Sequence, residues 1–286
     1  MIDQAEKLRK IMEEKEKKGK TKIITVASGK GGVGKTNFAV NLAIAYAQYG
    51  KNVLVMDADL GLANVNVILG IIPKYNLYHV VKRKKMMKEI VLDTKYGIKI
   101  IAGASGFSEL ANLPDEEREY FIESLVDLNF ADIIIIDTGA GVSNNVLSFI
   151  VASDETIIVT TPETTAITDA YGIIKSIYAL DKDIVIKLVI NKCKNIPEGK
   201  KVAERIINIA FQFLSIKVEN LGYIMEDEIV EKAVKMQKPF ISLNPKSKAS
   251  LSIYHIVSQL EHINNTEGKG IYGFIKKFFN YSKVEY

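Results

Sequence analysis

A short apolar strand that runs straight into a glycine-crowded loop and then into a helix leaves few folds open to a chain. Ile23, Ile24, Val26 and Ala27 form an apolar, largely β-branched run of the kind buried in parallel sheets. Ser28 to Gly34 holds too much glycine for either strand or helix. From Asn37 to Tyr49, apolar residues return at helical spacing: Phe38, Ala39, Leu42, Ala43 and Ala45–Tyr46. Between strand and helix stands Gly29-(x4)-Gly34-Lys35-Thr36, which has the spacing of a phosphate-binding loop in the context such a loop requires.

The residue types say what the loop can do. Gly29, Gly31, Gly32 and Gly34 let the backbone curl so that successive N–H groups, from Gly29 through Val33 to Asn37, face a polyphosphate. The positive end of the following helix adds to that field. Lys35 reaches toward the terminal phosphates, and the Thr36 hydroxyl is placed to ligate Mg²⁺. A second buried strand, Asn52 to Met56, ends in Asp57-Ala58-Asp59, two acids aimed at the nucleotide edge of an open α/β sheet. Ala131 to Thr138, ADIIIIDT, is the most apolar strand and belongs at the sheet centre. Its terminal Asp137 is placed to hold Mg²⁺ through water, and Gly139-Ala140-Gly141 lets backbone approach a γ-phosphate. Further strands alternate with helices, which predicts an α/β P-loop NTPase with a mostly parallel central sheet and helices on both faces.

Lys30, directly after the first glycine, gives the loop a second lysine in the pattern KGGxGKT. With the downstream DxDxGLxN stretch at Asp57–Asn64 and the TPE element at Thr161–Glu163, it resembles the deviant P-loop of the MinD/ParA/Soj ATPases. The resemblance implies a slow, Mg²⁺-dependent ATP hydrolase that works as a switch. Lys30 would reach across a dimer interface to the partner's nucleotide. Asp59 would orient the attacking water, and Asp57 would support Mg²⁺ and the switch segment beside Thr36 and Asp137. Asn191 falls where the family recognises adenine, although helix capping explains it equally well. Asp3-Gln4-Ala5-(x2)-Leu8-Arg9 is similar to the DQAxxLR element of FlhG, the branch of that family that regulates flagellar number and placement. There the segment docks on the GTPase FlhF and stimulates its hydrolysis, with the glutamine near the active site, so Asp3, Gln4, Leu8 and Arg9 are the candidate activator residues. Flagellar switch or C-ring proteins are further partners that this branch implies.

Composition narrows the alternatives. The single cysteine, Cys193, rules out a disulfide framework and disfavours the nitrogenase-iron-protein branch, whose bridging cluster needs two cysteines per subunit. The three histidines have no metal-ligand spacing. No secretory signal or membrane-spanning stretch is present, so a cytoplasmic location is expected. A net charge of +4 is too weak to argue for nucleic-acid binding, and no sequence-specific nucleic acid is expected. Residues 74–97, with Lys82-Arg83-Lys84-Lys85 and Lys88, read as a solvated helical face, and Gly97 to Ala102 as a third strand. Lys201 to Leu214 reads as a helix, as does Lys248 to Ile263 with Leu251, Tyr254, Ile256–Val257 and Leu260 inward.

The chain divides into an activator segment at 1–20, an ATPase domain at 21–265 and a terminal segment at 266–286. In the last, Ile271, Phe274, Ile275, Phe278 and Phe279 share one helical face, opposite Lys276 and Lys277. A packed terminal helix has the same pattern, but aromatics facing lysines after a glycine break suit a helix lying at the headgroup level of an anionic membrane. Such a helix predicts reversible, peripheral attachment that tightens when a homodimer presents two. Within the same family, a DNA-partitioning ParA and a division-site MinD are the rival readings, and a nucleotide-gated assembly scaffold is the non-enzymatic one.

Overall fold

The structure is a computed structural model that describes residues 21–59, 64–103, 120–121, 123–182, 184–263 and 270–282. The activator residues Asp3, Gln4, Leu8 and Arg9 lie outside the described residues, as does the side chain of Phe279.

Eight strands form one sheet in the order β3-β4-β2-β5-β1-β6-β7-β8. In chain order they are β1 (Lys22–Ser28), β2 (Val53–Ala58), β3 (Val91–Asp93), β4 (Lys99–Ile101), β5 (Ile133–Ala140), β6 (Glu155–Thr160), β7 (Ile186–Cys193) and β8 (Val218–Met225). Only the β3–β4 pair is antiparallel. The apolar run ADIIIIDT becomes β5, interior to the sheet between β2 and β1 as expected. The parallel order brings every other strand's carboxyl end to one edge, and the strand-to-helix loops that carry the motifs gather there.

Strand side chains alternate between two apolar layers, the consequence of a period of two in a sheet buried on both faces. Ile24, Val26, Val55 and Ile135 point into one layer, and Ile23, Leu54, Ile134 and Ile136 into the other. The first layer is closed by α1 (Lys35–Gln48), α2 (Val65–Leu69), α8 (Glu228–Lys235), α9 (Phe240–Leu243) and α10 (Lys248–Ile263). The buried Asn41 of α1 accepts a hydrogen bond from Ile241 N at 2.9 Å, tying the P-loop helix to α9. The second layer is closed by α3 (Leu77–Val81), α4 (Met87–Ile90), α5 (Asn144–Ala152), α6 (Thr164–Leu180), α7 (Ile196–Leu214) and α11 (Gly270–Ser282).

Several sequence expectations change at this level. Residues 74–97 are not one solvated helical face but two short helices joined by a turn, followed by the edge strand β3. The third strand is shorter than Gly97–Ala102 and is paired by β3, which periodicity did not reveal at three residues. Helix α7 starts at Ile196, five residues before Lys201, because Asn195 caps it by accepting from Glu198 N at 2.9 Å. Leu251 is exposed, whereas Ile256, Val257 and Leu260 are buried as expected.

The terminal helix α11 packs against α5 and over β1. Ile271, Phe274, Ile275 and Phe278 are buried, and Phe278 lies 4.9 Å, centroid to centroid, from Phe149 of α5. The apolar face read as a membrane surface is thus, in this arrangement, part of the core. Among the described residues no helix is long and apolar enough to cross a membrane.

Candidate functional site

The P-loop connects β1 to α1 and uses its glycines for different physical ends. Gly32 and Gly34 have φ of +77° and +91°, in the left-handed region that glycine enters without penalty. Gly29 is required for closeness instead: a Cβ there would stand 2.1 Å from the Asp169 carbonyl oxygen of α6. Val33 turns its side chain into the core while its carbonyl accepts from Asn191 Nδ2 at 2.8 Å. Asn191 Oδ1 accepts from Lys192 N at 2.8 Å. Both ends of the Asn191 amide are therefore engaged by backbone, and the residue braces the loop. It caps no helix, since Asn195 does that, and each end of its amide keeps one further hydrogen-bonding position.

Below the loop the register sets Val26 and Asp57 on either side of Asp137. Lys35 Nζ lies 3.2 Å from Asp137 Oδ1, both groups being buried. Burial raises the Asp137 pKa, against the pull of Lys35 and a hydrogen bond from Thr36. Asp57 is pushed up to about 6, first by burial and then by the charge of Asp137. Asp57 lies inside β2 rather than beyond its end, and both its oxygens are occupied. Oδ1 accepts from Asp59 N at 3.1 Å, and Oδ2 accepts from Asn64 N at 2.8 Å and Val65 N at 3.1 Å. The geometry makes Asp57 the clamp that holds Asp59, Asn64 and Val65, and a metal contact would have to be shared with those amides.

Asp137 Oδ2 is different: it is buried with no hydrogen-bond partner among the described residues. An acceptor in that state, beside the Thr36 hydroxyl and below a phosphate-binding loop, fits a hydrated Mg²⁺. Asp137 and Thr36 are the residues that would hold such an ion, and it would supply charge neutralisation for bound phosphates.

Asp59 stands at the mouth. Asn64 Nδ2 donates to Asp59 Oδ2 at 3.2 Å, and Gly139 passes close enough that a Cβ would come within 3.5 Å of Asp59 Oδ1. A cavity of about 350 Å³ spans Lys30, Gly31, Thr36, Asp59, Asn64 and Ala140. It shares Gly32, Gly34 and Asn37 with a larger cavity of about 1100 Å³ that extends past Lys192 to Asp227 and Phe240. One half suits a polyphosphate and the other a nucleoside.

Lys30 does not join Lys35 inside. Its Nζ lies 2.9 Å from Glu163 Oε2 and 2.7 Å from Thr165 Oγ1, at the start of α6. Glu163 is held below the usual carboxylate range by that hydrogen bond and then by the lysine's charge. The two lysines of one loop thus point to different places.

The family model for the CobQ/CobB/MinD/ParA nucleotide-binding domain matches residues 24–240. The antiactivator FleN of Pseudomonas aeruginosa is 35% identical over 84% of this chain and 86% of its own. The flagellum site-determining protein YlxH of Helicobacter pylori is 35% identical over 98% of this chain and 99% of its own. The chain belongs to the FleN/YlxH (FlhG) branch of the MinD/ParA nucleotide-binding family. Among solved structures, the MinC:MinD cell division complex of Aquifex aeolicus superposes with a TM-score of 0.69 at 26% identity, covering 86% of this chain and 98% of that one. This FlhG-branch chain is therefore an ATP-binding, P-loop protein of a family of ATPases.

Three participants escaped the sequence reading. Glu163 and Thr165 hold Lys30, and Lys192, with φ of +58°, donates to Gly32 O at 3.0 Å and closes the loop from outside. Glu163 ends the TPE element and Thr165 lies two residues beyond it, so the element marked the place without revealing its partner. Lys192 carried no signal, because only the fold brings β7 beside the P-loop.

Proposed function

We propose that this FlhG-branch ATPase is a dimerising membrane switch that sets the number and placement of flagella. The observation that carries the reading is the divergence of Lys35 and Lys30. One neutralises the buried acid under its own phosphate site, while the other is held at the exposed rim by Glu163 and Thr165. An exposed ion pair is weakly held and screened by salt, so Lys30 can exchange it for a partner's triphosphate at little cost. ATP binding would then license a face-to-face dimer, and Asp59, aimed by Asn64, would orient the water whose attack ends it. Asp57 links the two events, since it fastens Asp59, Asn64 and Val65 to the strand beside Asp137.

In this reading the buried face of α11 is the resting state of the membrane helix. Release exposes Ile271, Phe274, Ile275 and Phe278, and pairing in the dimer supplies the avidity a single short helix lacks. The protein would be cytoplasmic when resting and peripheral at the inner face of the cell membrane when ATP-bound. Residues 1–20 would activate the GTPase FlhF, with Gln4 positioning water in trans. Flagellar switch proteins are the expected further partners.

The flagellar assignment is tested by a peptide of residues 1–20 added to FlhF. It should accelerate GTP hydrolysis, and the Gln4→Ala peptide should not. Equal stimulation by both peptides, or by neither, would refute the proposed role of this segment.

A further inference from the structure

Between residues 74 and 89 the chain carries six basic side chains, Lys74, Lys82, Arg83, Lys84, Lys85 and Lys88, against one acid, Glu89. Like charges so close repel, and an unsupported loop would splay. Here they stand on an ordered turn between α3 and α4. Lys84 N and Lys85 N both donate to the His79 carbonyl, at 2.8 and 3.0 Å, and Arg83 takes φ of +53° to close the turn. Met86 N donates to Glu89 Oε2 at 2.8 Å and starts α4. Leu77, Val80, Val81, Met87 and Ile90 anchor the unit from beneath.

Aromatic rings gather the cations. Lys85 lies 4.6 Å from the Tyr75 ring centroid, Arg83 5.2 Å from that of Tyr120 and Lys84 5.8 Å from that of Tyr78. The outward surface shows Lys82, Arg83, Lys84 and Lys88 beside two exposed apolar groups, Tyr78 and Met86. Cations mixed with an exposed tyrosine and methionine match the headgroup zone of an anionic bilayer. A nucleic acid would satisfy the charges but leave the apolar groups without a partner. Location agrees: Val80, Val81 and Met87 share one apolar cluster with Ile271, Phe274, Ile275 and Phe278 of α11. The 3-10 turn Val126–Leu128 touches α4 on one side and α11 on the other.

We infer that the Lys82–Lys88 turn is a second membrane contact, independent of nucleotide, that docks on anionic headgroups beside the place where α11 is released. The pairing with α11 rests on the proposed membrane role of that helix; the turn's own charge and order do not. One short amphipathic helix gives marginal attachment, and a basic surface is the second signal that makes it stable. The division of labour would be electrostatic recognition by the turn and ATP-gated insertion by the helix.

The test is co-sedimentation of the full chain with vesicles of phosphatidylcholine, alone or with phosphatidylglycerol, in ADP·Mg²⁺ and ATP·Mg²⁺ at several salt concentrations. The ADP form should bind the anionic vesicles in a salt-sensitive way. K82Q/K84Q/K88Q should weaken this on the order of a hundredfold while leaving nucleotide binding unchanged. If ATP adds no further binding, the α11 reading falls and the turn stands. Binding to anionic vesicles that the triple variant leaves unaltered overturns the inference. So does a triple variant that loses binding to a short DNA duplex but keeps its vesicle binding.

Discussion

Asp57 and Asp137 are paired across β2 and β5, an arrangement that would be unfavourable without a cation beside it. Lys35 is the cation the protein itself supplies. Removing it leaves Asp137 buried and unpaired, so Lys35→Ala should abolish nucleotide binding. It should also destabilise the nucleotide-free protein by on the order of 3 kcal/mol at neutral pH. The sign with pH follows from the raised pKa of Asp137. An acid whose pKa is higher folded than unfolded contributes most to stability when protonated and loses that contribution as pH rises. The deficit of the variant, followed by urea titration at several pH values, should therefore shrink on acidification. Cys193 gives a second check. Burial pushes its thiol up to about 12, so it should react with a thiol reagent only as the protein unfolds, and fast labelling of the native state would contradict the packing of β7 against α7. At this scale the sequence was most informative where chemistry forces residue type. The fold brings Gly32, Gly34, Lys35, Thr36 and Asp137 together. The contacts of Lys30, Asn191 and Lys192 depend on which loops meet, and a linear pattern does not carry that information.

Among elements, α11 shows why a hydrophobic face alone does not name its partner. Its spacing is the same whether it covers a sheet or a lipid surface, and the structure places it on β1 and α5. Phe278, Phe274 and Phe149 form one aromatic group, with centroid separations of 4.9 to 6.3 Å. Phe278→Ala should therefore cost roughly 3 kcal/mol of stability in the nucleotide-free protein, in addition to weakening ATP-dependent vesicle binding. An unchanged midpoint in denaturant would mean that the helix does not rest on the core. Short elements were the least legible: the turn after α3 and the three-residue β3 are set by tertiary contacts rather than by periodicity. Long apolar strands such as β5 were legible because burial on both faces demands an unbroken run.

For the whole molecule, the nucleotide edge of the sheet collects the P-loop, the residues Asp59, Asn64 and Val65 held by Asp57 and the start of α6 that holds Lys30. On one flank lie α11 and the basic turn after α3. In the proposed function a change at the edge is passed both to a second copy and to a surface. The central claim is that Lys30 leaves Glu163 to bridge two copies through ATP. It is tested most directly by light scattering on size-exclusion chromatography in ATP·Mg²⁺, comparing Asp59→Ala with Asp59→Ala/Lys30→Ala. The account predicts a persistent dimer for the first and a monomer that still binds ATP for the second; a double variant that remains dimeric would contradict it.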